Sequence, residues 1–176
     1  YPEKVEEYMV HGEEKLAEVL DPQSSTFMDI HRHKGDIYRI LGNVEMAKNE
    51  LKLFINANLP EGSRYYRQSK SEALLNLSNL EFQGGNLFDA ERYCRQSLGI
   101  LNQNSIADFF TGKIYALLGQ VLAAQGRAED AENAFHKAIR LSKDYAHDAE
   151  IEARNGLAKL SLMAYDRDHP DPFLAE

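Results

Sequence analysis

The chain has 176 residues, of which 43% are hydrophobic and 27% are charged, a balance typical of folded globular domains and not of disordered chains. No apolar run approaches the roughly 18 residues of a membrane-spanning helix, and a single cysteine, Cys94, excludes an intramolecular disulfide, so the cytoplasm is the expected compartment. A formal net charge of −8 disfavours nucleic acid as a partner, because phosphate backbones are bound by clusters of Lys and Arg.

Apolar spacing, together with the positions of proline and glycine, predicts an all-α chain. No proline lies between residues 61 and 169, and the good helix formers Leu, Ala, Glu and Lys fill that stretch. The predicted helices span residues 3–20, 26–41, 44–57, 63–83, 87–101, 104–126, 128–142 and 145–165. The candidate N-caps are Ser24 or Ser25, then Ser63, then Asn104 or Ser105.

Three units of helix, short turn and helix repeat the same order of residues. The third unit carries Tyr115, Leu118, Gly119, Gly126, Ala131, Phe135 and Ala138. The second carries Leu74, Leu77, Gly85, Ala90, Cys94 and Ser97, and the first carries Gly35, Tyr38, Gly42, Ala47, Leu51, Phe54 and Pro60. In the third unit we expect Gly119 and Ala131 to mark close approaches of two helices, with Phe135 filling the space beside them. Ser78 replaces the first glycine of the second unit.

This pattern resembles the tetratricopeptide repeat, whose period is about 34 residues. The likeness covers residues 28–142, with units near 28–61, 71–104 and 112–145. Residues 3–20 and 149–165 resemble partial units, the latter with Leu157 and Ala158 in the Leu-Gly place. The resemblance implies one right-handed superhelical solenoid domain of antiparallel helix hairpins over residues 1–165, followed by a polar tail, 166–176.

The repeat is longer than the family's usual period. Gly42 and Gly85 are 43 residues apart, and Gly85 and Gly126 are 41 residues apart. The extra residues precede the first helix of each unit. This spacing resembles the longer-period repeats of kinesin light chains and of the sensor arrays in bacterial transcription regulators.

By the same resemblance, first helices line a concave groove that binds a peptide or helical segment of a partner protein. The predicted partner-binding residues are Arg32, Asp36, Arg39, Asn76, Asn79, Gln83, Lys113 and Gln120, with Asp29, Glu72, Ala116 and Ala123 at further inward positions. Polar side chains at helical spacing can recognise a peptide through hydrogen bonds and charge. The alternative is that these residues form an ordinary solvated face.

Some family members hold a peptide's terminal carboxylate with basic and Asn side chains. The matching places here hold Arg32 with Asp36, then Asn76, then Lys113 with Leu117. Because Asp36 would repel a carboxylate and Leu117 carries no charge, we expect no such clamp. The aromatic pairs Tyr65-Tyr66 and Phe109-Phe110 are expected to pack in the core, the alternative being that they anchor a partner.

No set of residues predicts catalysis, a metal site or a cofactor. His31 and His33 are two apart and fall on different helix faces, and the two glycines Gly84-Gly85 lack the context of a phosphate-binding loop. We therefore expect a non-catalytic protein-interaction module. The alternative is a ligand-sensing or autoinhibitory segment of a larger signalling or transcription-regulator protein, a hypothesis that the first residue, Tyr1 in place of Met, keeps open. Self-association through terminal repeats is a further expectation.

Overall fold

The computed structural model describes residues 2–21, 24–57, 64–102, 109–142 and 147–168. This part of the chain contains eight helices and no strand: α1 (Pro2–Ala17), α2 (Ser25–Ile40), α3 (Val44–Asn56), α4 (Arg64–Gln83), α5 (Leu87–Asn102), α6 (Phe109–Ala124), α7 (Ala128–Ser142) and α8 (His147–Asp168). The chain divides into two compact units, Tyr1–Leu80 and Glu81–Glu176, with the division inside α4. None of the described helices is both long and apolar enough to cross a membrane.

The first unit is built on the hairpin of α2 and α3. The Ser24 hydroxyl accepts a hydrogen bond from the Phe27 backbone N–H at 3.1 Å, and the Asn43 side chain accepts one from the Met46 N–H at 3.3 Å, so each helix begins at a capped residue. Apolar side chains spaced for one helix face meet between the two helices. The buried set comprises Phe27, Tyr38, Ala47, Leu51 and Phe54.

Polar contacts link helix α1 to this hairpin. The Lys34 ammonium lies 2.7 Å from the Glu13 carboxylate, and the Tyr38 hydroxyl donates to Glu6 at 3.2 Å. The apolar side chains Tyr8 and Val19 are 72% and 75% exposed. The apolar spacing of residues 3–20 therefore correctly predicted a helix, but much of its apolar surface is unburied.

Three glycines form the turns between paired helices. Gly42, Gly85 and Gly126 have φ values of 76°, 79° and 77°, in the left-handed region that residues with a Cβ avoid. A Cβ added at any of the three would meet no atom within 4 Å, so conformation and not space requires glycine there. The prediction of three equivalent helix turns is confirmed.

In the second unit, α6 packs against α5, α7 and α8. A Cβ added at Gly119 of α6 would lie 2.5 Å from the ring of Phe135 on α7, which is the close approach that the sequence predicted. A Cβ added at Gly156 of α8 would also collide with that ring, so Phe135 is held between two glycines on different helices. Ala131, Ala138 and Cys94 complete the repeat pattern and are fully buried.

The predicted register of α8 is wrong. The expected Leu-Gly place was Leu157-Ala158, but Ala158 is exposed, while Ala153 and Gly156 are buried against the preceding hairpin. The side chains of Ile151 and Leu162 are also exposed, and self-association through such a surface stays a prediction.

The predicted helix bounds agree with the structure to within a few residues where the chain is described. Helix α1 ends at Ala17, earlier than residue 20, and α8 runs on to Asp168. Pro60 and the cap candidates Ser63, Asn104 and Ser105 lie outside the described residues. Most of the polar tail also lies outside them, as do residues 62–63 and 104–108 of the extra segments, 62–70 and 104–111, that precede the first helices.

Candidate interaction surface

The face of the first unit formed by α2 and α4 brings together three of the predicted residues, Arg32, Asp36 and Asn76. The Asn76 side-chain amide donates to Asp36 Oδ1 at 2.8 Å, across the two helices. Arg32 Nε donates to Asp29 Oδ1 at 2.8 Å, and Arg32 Nη1 lies 3.6 Å from both Asp36 Oδ2 and Glu72 Oε2. Arg32 is only 8% exposed. It is therefore the buried centre of a polar cluster that comprises Asp29, Arg32, Asp36, Glu72 and Asn76.

The cluster carries three carboxylates around one guanidinium. Burial opposes the charged form of Asp29, but hydrogen bonds from Arg32 and Tyr65 outweigh it and lower the pKa of that carboxyl. Burial also opposes the charged form of Arg32, yet its hydrogen bond to Asp29 and the nearby carboxylates raise its pKa, so it stays a cation. For Glu72 burial prevails over the attraction of Arg32, and its pKa is raised. The polar cluster is thus acidic, and its one cation, Arg32, is already paired with carboxylates.

Two further side chains, which the sequence did not assign to this cluster, also contact it. The Tyr65 hydroxyl donates to Asp29 Oδ2 at 2.9 Å, and His33 Nε2 lies 3.0 Å from Arg32 Nη2. Tyr65 is 61% exposed, whereas its neighbour Tyr66 is buried with its ring centroid 5.7 Å from that of Phe54. The expectation of core packing therefore holds for Tyr66 and is wrong for Tyr65. Because consecutive residues on a helix point in different directions, the sequence already indicated that Tyr65 and Tyr66 could not both face the core.

The other predicted residues of the first unit, Arg39 and Asn79, are exposed and lie outside the cluster. In the second unit, Gln83 is exposed and Gln120 is half-buried. Lys113 lies 2.8 Å from Asp148, linking α6 to α8, and this hydrogen bond lowers the pKa of Asp148. The structure does not present every predicted inward position to solvent.

Two positions considered for the groove and the clamp are unavailable to a partner. Ala116 is fully buried, and Leu117 is 7% exposed. Both belong to α6, which is covered on several sides by its neighbours. The prediction that Ala116 faces the groove is therefore wrong, and Leu117 serves the core instead of any ligand.

The histidines of α2 engage separate partners. His31 Nδ1 lies 2.6 Å from Glu50 Oε2, and Glu50 also pairs with Lys34 at 2.9 Å. Burial opposes the charge on Glu50, but hydrogen bonds from His31 and Lys34 outweigh it and lower its pKa. His33 instead faces Asp29. Within the described ranges, no three His, Cys, Asp or Glu side chains are grouped to hold a metal ion.

Comparison with known proteins identifies a matching family model and a similar solved structure. Residues 69–144 match the family model described as tetratricopeptide repeat. Among the matching solved structures is the first tetratricopeptide repeat of Spaghetti (RPAP3) bound to an HSP90 peptide, SRMEEVD. It is 18% identical, has a TM-score of 0.62, and the match covers 81% of this chain and 96% of that one. A search of curated proteins finds no significant match. Residues 69–144 are therefore similar to the tetratricopeptide repeat family, and the described part of the chain has an all-α fold of tetratricopeptide repeat type.

Proposed function

We propose that the chain is a non-catalytic protein-interaction module that binds a peptide or helical segment of a partner on the faces of its first helices. The match to the tetratricopeptide repeat family carries the proposal, because these repeats stack helices into preformed surfaces that lose little conformational entropy on binding. The similar structure holds a bound peptide, which supports the same class of ligand. No observation favours the ligand-sensing or autoinhibitory alternative.

The proposed binding residues differ in what a partner can reach. In the first unit, Arg39 and Asn79 are exposed, and Asp36 and Asn76 are half-buried. Arg32 is enclosed by carboxylates, so we assign it the role of holding the polar cluster in place. In the second unit, Gln83, Lys113 and Gln120 are the proposed contacts.

The proposed ligand is not a peptide held by its terminal carboxylate. Asp36 already accepts the hydrogen bond from Asn76 and neighbours Arg32, and two more carboxylates face the same guanidinium. An incoming carboxylate would meet uncompensated negative charge and no free cation in this cluster. A selected peptide should therefore bind equally well with a free or an amidated C-terminus.

The test selects peptides from a phage-displayed random library and measures their affinity by calorimetry. The binding-face variant combines Arg39→Ala, Asn79→Ala and Gln120→Ala, all at positions where truncation leaves no buried charge unpaired. The control combines exchanges at exposed second-helix positions, Lys52→Ala, Gln96→Ala and Arg140→Ala. We expect at least a tenfold loss for the first variant and less than a twofold change for the control. Equal losses in both would contradict the assignment.

A further inference from the structure

Helix α8 is packed on one face and uncovered on the opposite one. Ala149, Ala153 and Gly156 are buried where α8 contacts α6 and α7. The opposite face carries five exposed residues at alternating spacings of four and three positions, which we call the α8 seam: Ile151, Asn155, Ala158, Leu162 and Tyr165. This is the spacing at which one helix packs along another in a coiled coil.

The α8 seam presents apolar surface that is open to solvent. Its three large side chains, Ile151, Leu162 and Tyr165, are 58%, 60% and 60% exposed. Single exposed apolar residues are common on proteins, but a straight line of them over about four helical turns marks a contact surface. The occupant that fits such a seam is another helix with the same spacing of apolar residues.

Charged residues beside the seam make it complementary to a second copy of itself. Glu152 and Lys159 are one heptad apart on the same edge of the seam, and both are exposed. Neither forms an ion pair with another of the described residues. When two copies of α8 pack antiparallel about a twofold axis near Gly156 and Leu157, Glu152 of each copy faces Lys159 of the other. The symmetry therefore forms this ion pair twice.

The charges favour the antiparallel orientation over the parallel one. In a parallel pair, Arg154 of one copy would face Lys159 of the other, and the two like charges would repel. The antiparallel pair also sets Leu162 of each copy against Ile151 of the other. Asn155 then lies near the axis, where a polar residue in a helix seam costs stability but fixes the register.

We propose that a second copy of this chain covers the α8 seam, in a twofold-symmetric dimer of antiparallel α8 helices. Because two helices of this length bury less area than a standard interface, the dimer is weak and forms as the protein concentration rises. Each dimer carries two copies of the proposed binding faces, so a partner with two segments gains affinity from their linkage. This inference goes beyond the proposed function and does not depend on it.

The test measures the mass of the chain by sedimentation equilibrium at protein concentrations from about 5 µM to about 500 µM. We expect the mass to rise from 20.0 kDa toward twice that value and to stop there, because a twofold contact is complete with two copies. A constant mass of 20.0 kDa over the whole range would overturn the proposal. Growth beyond two copies would overturn it as well, since it would indicate head-to-tail stacking.

A pair of neighbouring substitutions tests the seam. Leu162→Glu places a carboxylate inside the seam and should raise the Kd of the dimer at least about tenfold. Met163→Glu adds the same charge at the next residue, which is also exposed but lies outside the seam, and should change the Kd less than about twofold. Equal effects of the two variants would refute the seam. Tyr8→Glu, on exposed α1, should leave the dimer intact, and its dissociation would move the contact to α1.

An exchange of charges tests the orientation. Glu152→Lys and Lys159→Glu should each raise the Kd at least about fivefold, because each puts two like charges opposite each other at both ends of the pair. The double variant has the net charge of the wild type and restores both ion pairs, so its Kd should return to within about twofold of the wild-type value. A double variant as weak as the single ones would contradict antiparallel pairing.

The two proposals fail separately. The Leu162→Glu variant should keep its affinity for the selected peptides, and the binding-face variant of Arg39, Asn79 and Gln120 should form dimers as the wild type does. Loss of the dimer in the binding-face variant would place self-association on the first-helix faces and refute the α8 seam. Circular dichroism and the melting temperature of each variant check that the fold is retained.

Discussion

Gly119→Ala should destabilise the protein although alanine is the better helix former. The added methyl group would lie 2.5 Å from Phe135 Cδ1 and Cε1, about 1 Å inside an ordinary contact. Gly156 of α8 limits movement of the ring, because a Cβ added there would also collide with Phe135. Phe135 is also 1% exposed, so it cannot swing into solvent without losing its burial.

The magnitude follows from two opposing effects. Overpacking in a confined core costs up to about 3 kcal/mol. Replacing a helix-interior glycine by alanine recovers about 1 kcal/mol. The net loss is therefore about 2 kcal/mol, which for a chain of this length lowers the melting temperature by roughly 4–8 °C.

The matched control is Gly99→Ala, the same exchange in a helix at a position with no atom within 4 Å. It lacks the overpacking penalty, so it should gain about 1 kcal/mol, or roughly 2–4 °C. Thermal and urea unfolding followed by circular dichroism measure both. In a double-mutant cycle, Phe135→Leu should make Gly119→Ala less costly by at least about 1 kcal/mol, because the two side chains touch. Shifts of the same sign for the two glycine variants would refute the packing argument.

The polar residues give further predictions for stability. Asp29→Asn should lower stability at neutral pH by about 1–2 kcal/mol, because the carboxylate is hydrogen-bonded in the folded state. Since folding lowers the pKa of Asp29, that stabilisation is present above the unfolded pKa of about 3.8 and is lost as pH falls through the folded value. Unfolding at a series of pH values should therefore show the stabilities of the variant and the wild type converging in acid. Glu72→Gln removes the same charge where folding raises the pKa, so it should maintain or increase stability at neutral pH, and a loss equal to that of Asp29→Asn would contradict this reasoning. Ser142→Ala should maintain or raise the melting temperature, because the Ser142 hydroxyl is fully buried with no hydrogen-bond partner among the described residues. Ser97→Ala is the comparison. Because Ser97 is equally buried but has a polar contact, this variant should lower the melting temperature.

The helices and their turns were predictable because they depend on local energetics. A turn residue with positive φ is strongly favoured to be glycine, so Gly42, Gly85 and Gly126 mark three turns whatever the tertiary structure around them. Ser24 caps α2 because its hydroxyl reaches the backbone N–H three residues on. The pairing of Gly119 with Phe135 was also predictable, since the two belong to one hairpin whose geometry the repeat fixes.

The candidate site was predictable only as a set of positions. The resemblance to the repeat family assigned Arg32, Asp36 and Asn76 to inward positions, and the structure brings them together. Spacing could not show that Arg32 is buried among carboxylates, because Glu72 approaches it from another helix, 40 residues away in the chain. The same limit applies to Ala116, whose burial is decided by the several helices packed around α6.

Sequence alone is enough to specify an all-α repeat of paired helices, its turn glycines, and the small and large residues that meet within a hairpin. The burial and the partners of individual side chains depend on the tertiary structure. It buried Gly156 in place of Ala158, and it left Tyr65 exposed on a polar cluster. The physical reason is the separation along the chain of the residues that interact. Turns and caps are set by local torsion angles and hydrogen bonds between neighbouring residues. Burial and local charge depend on side chains that the fold brings together from distant parts of the chain.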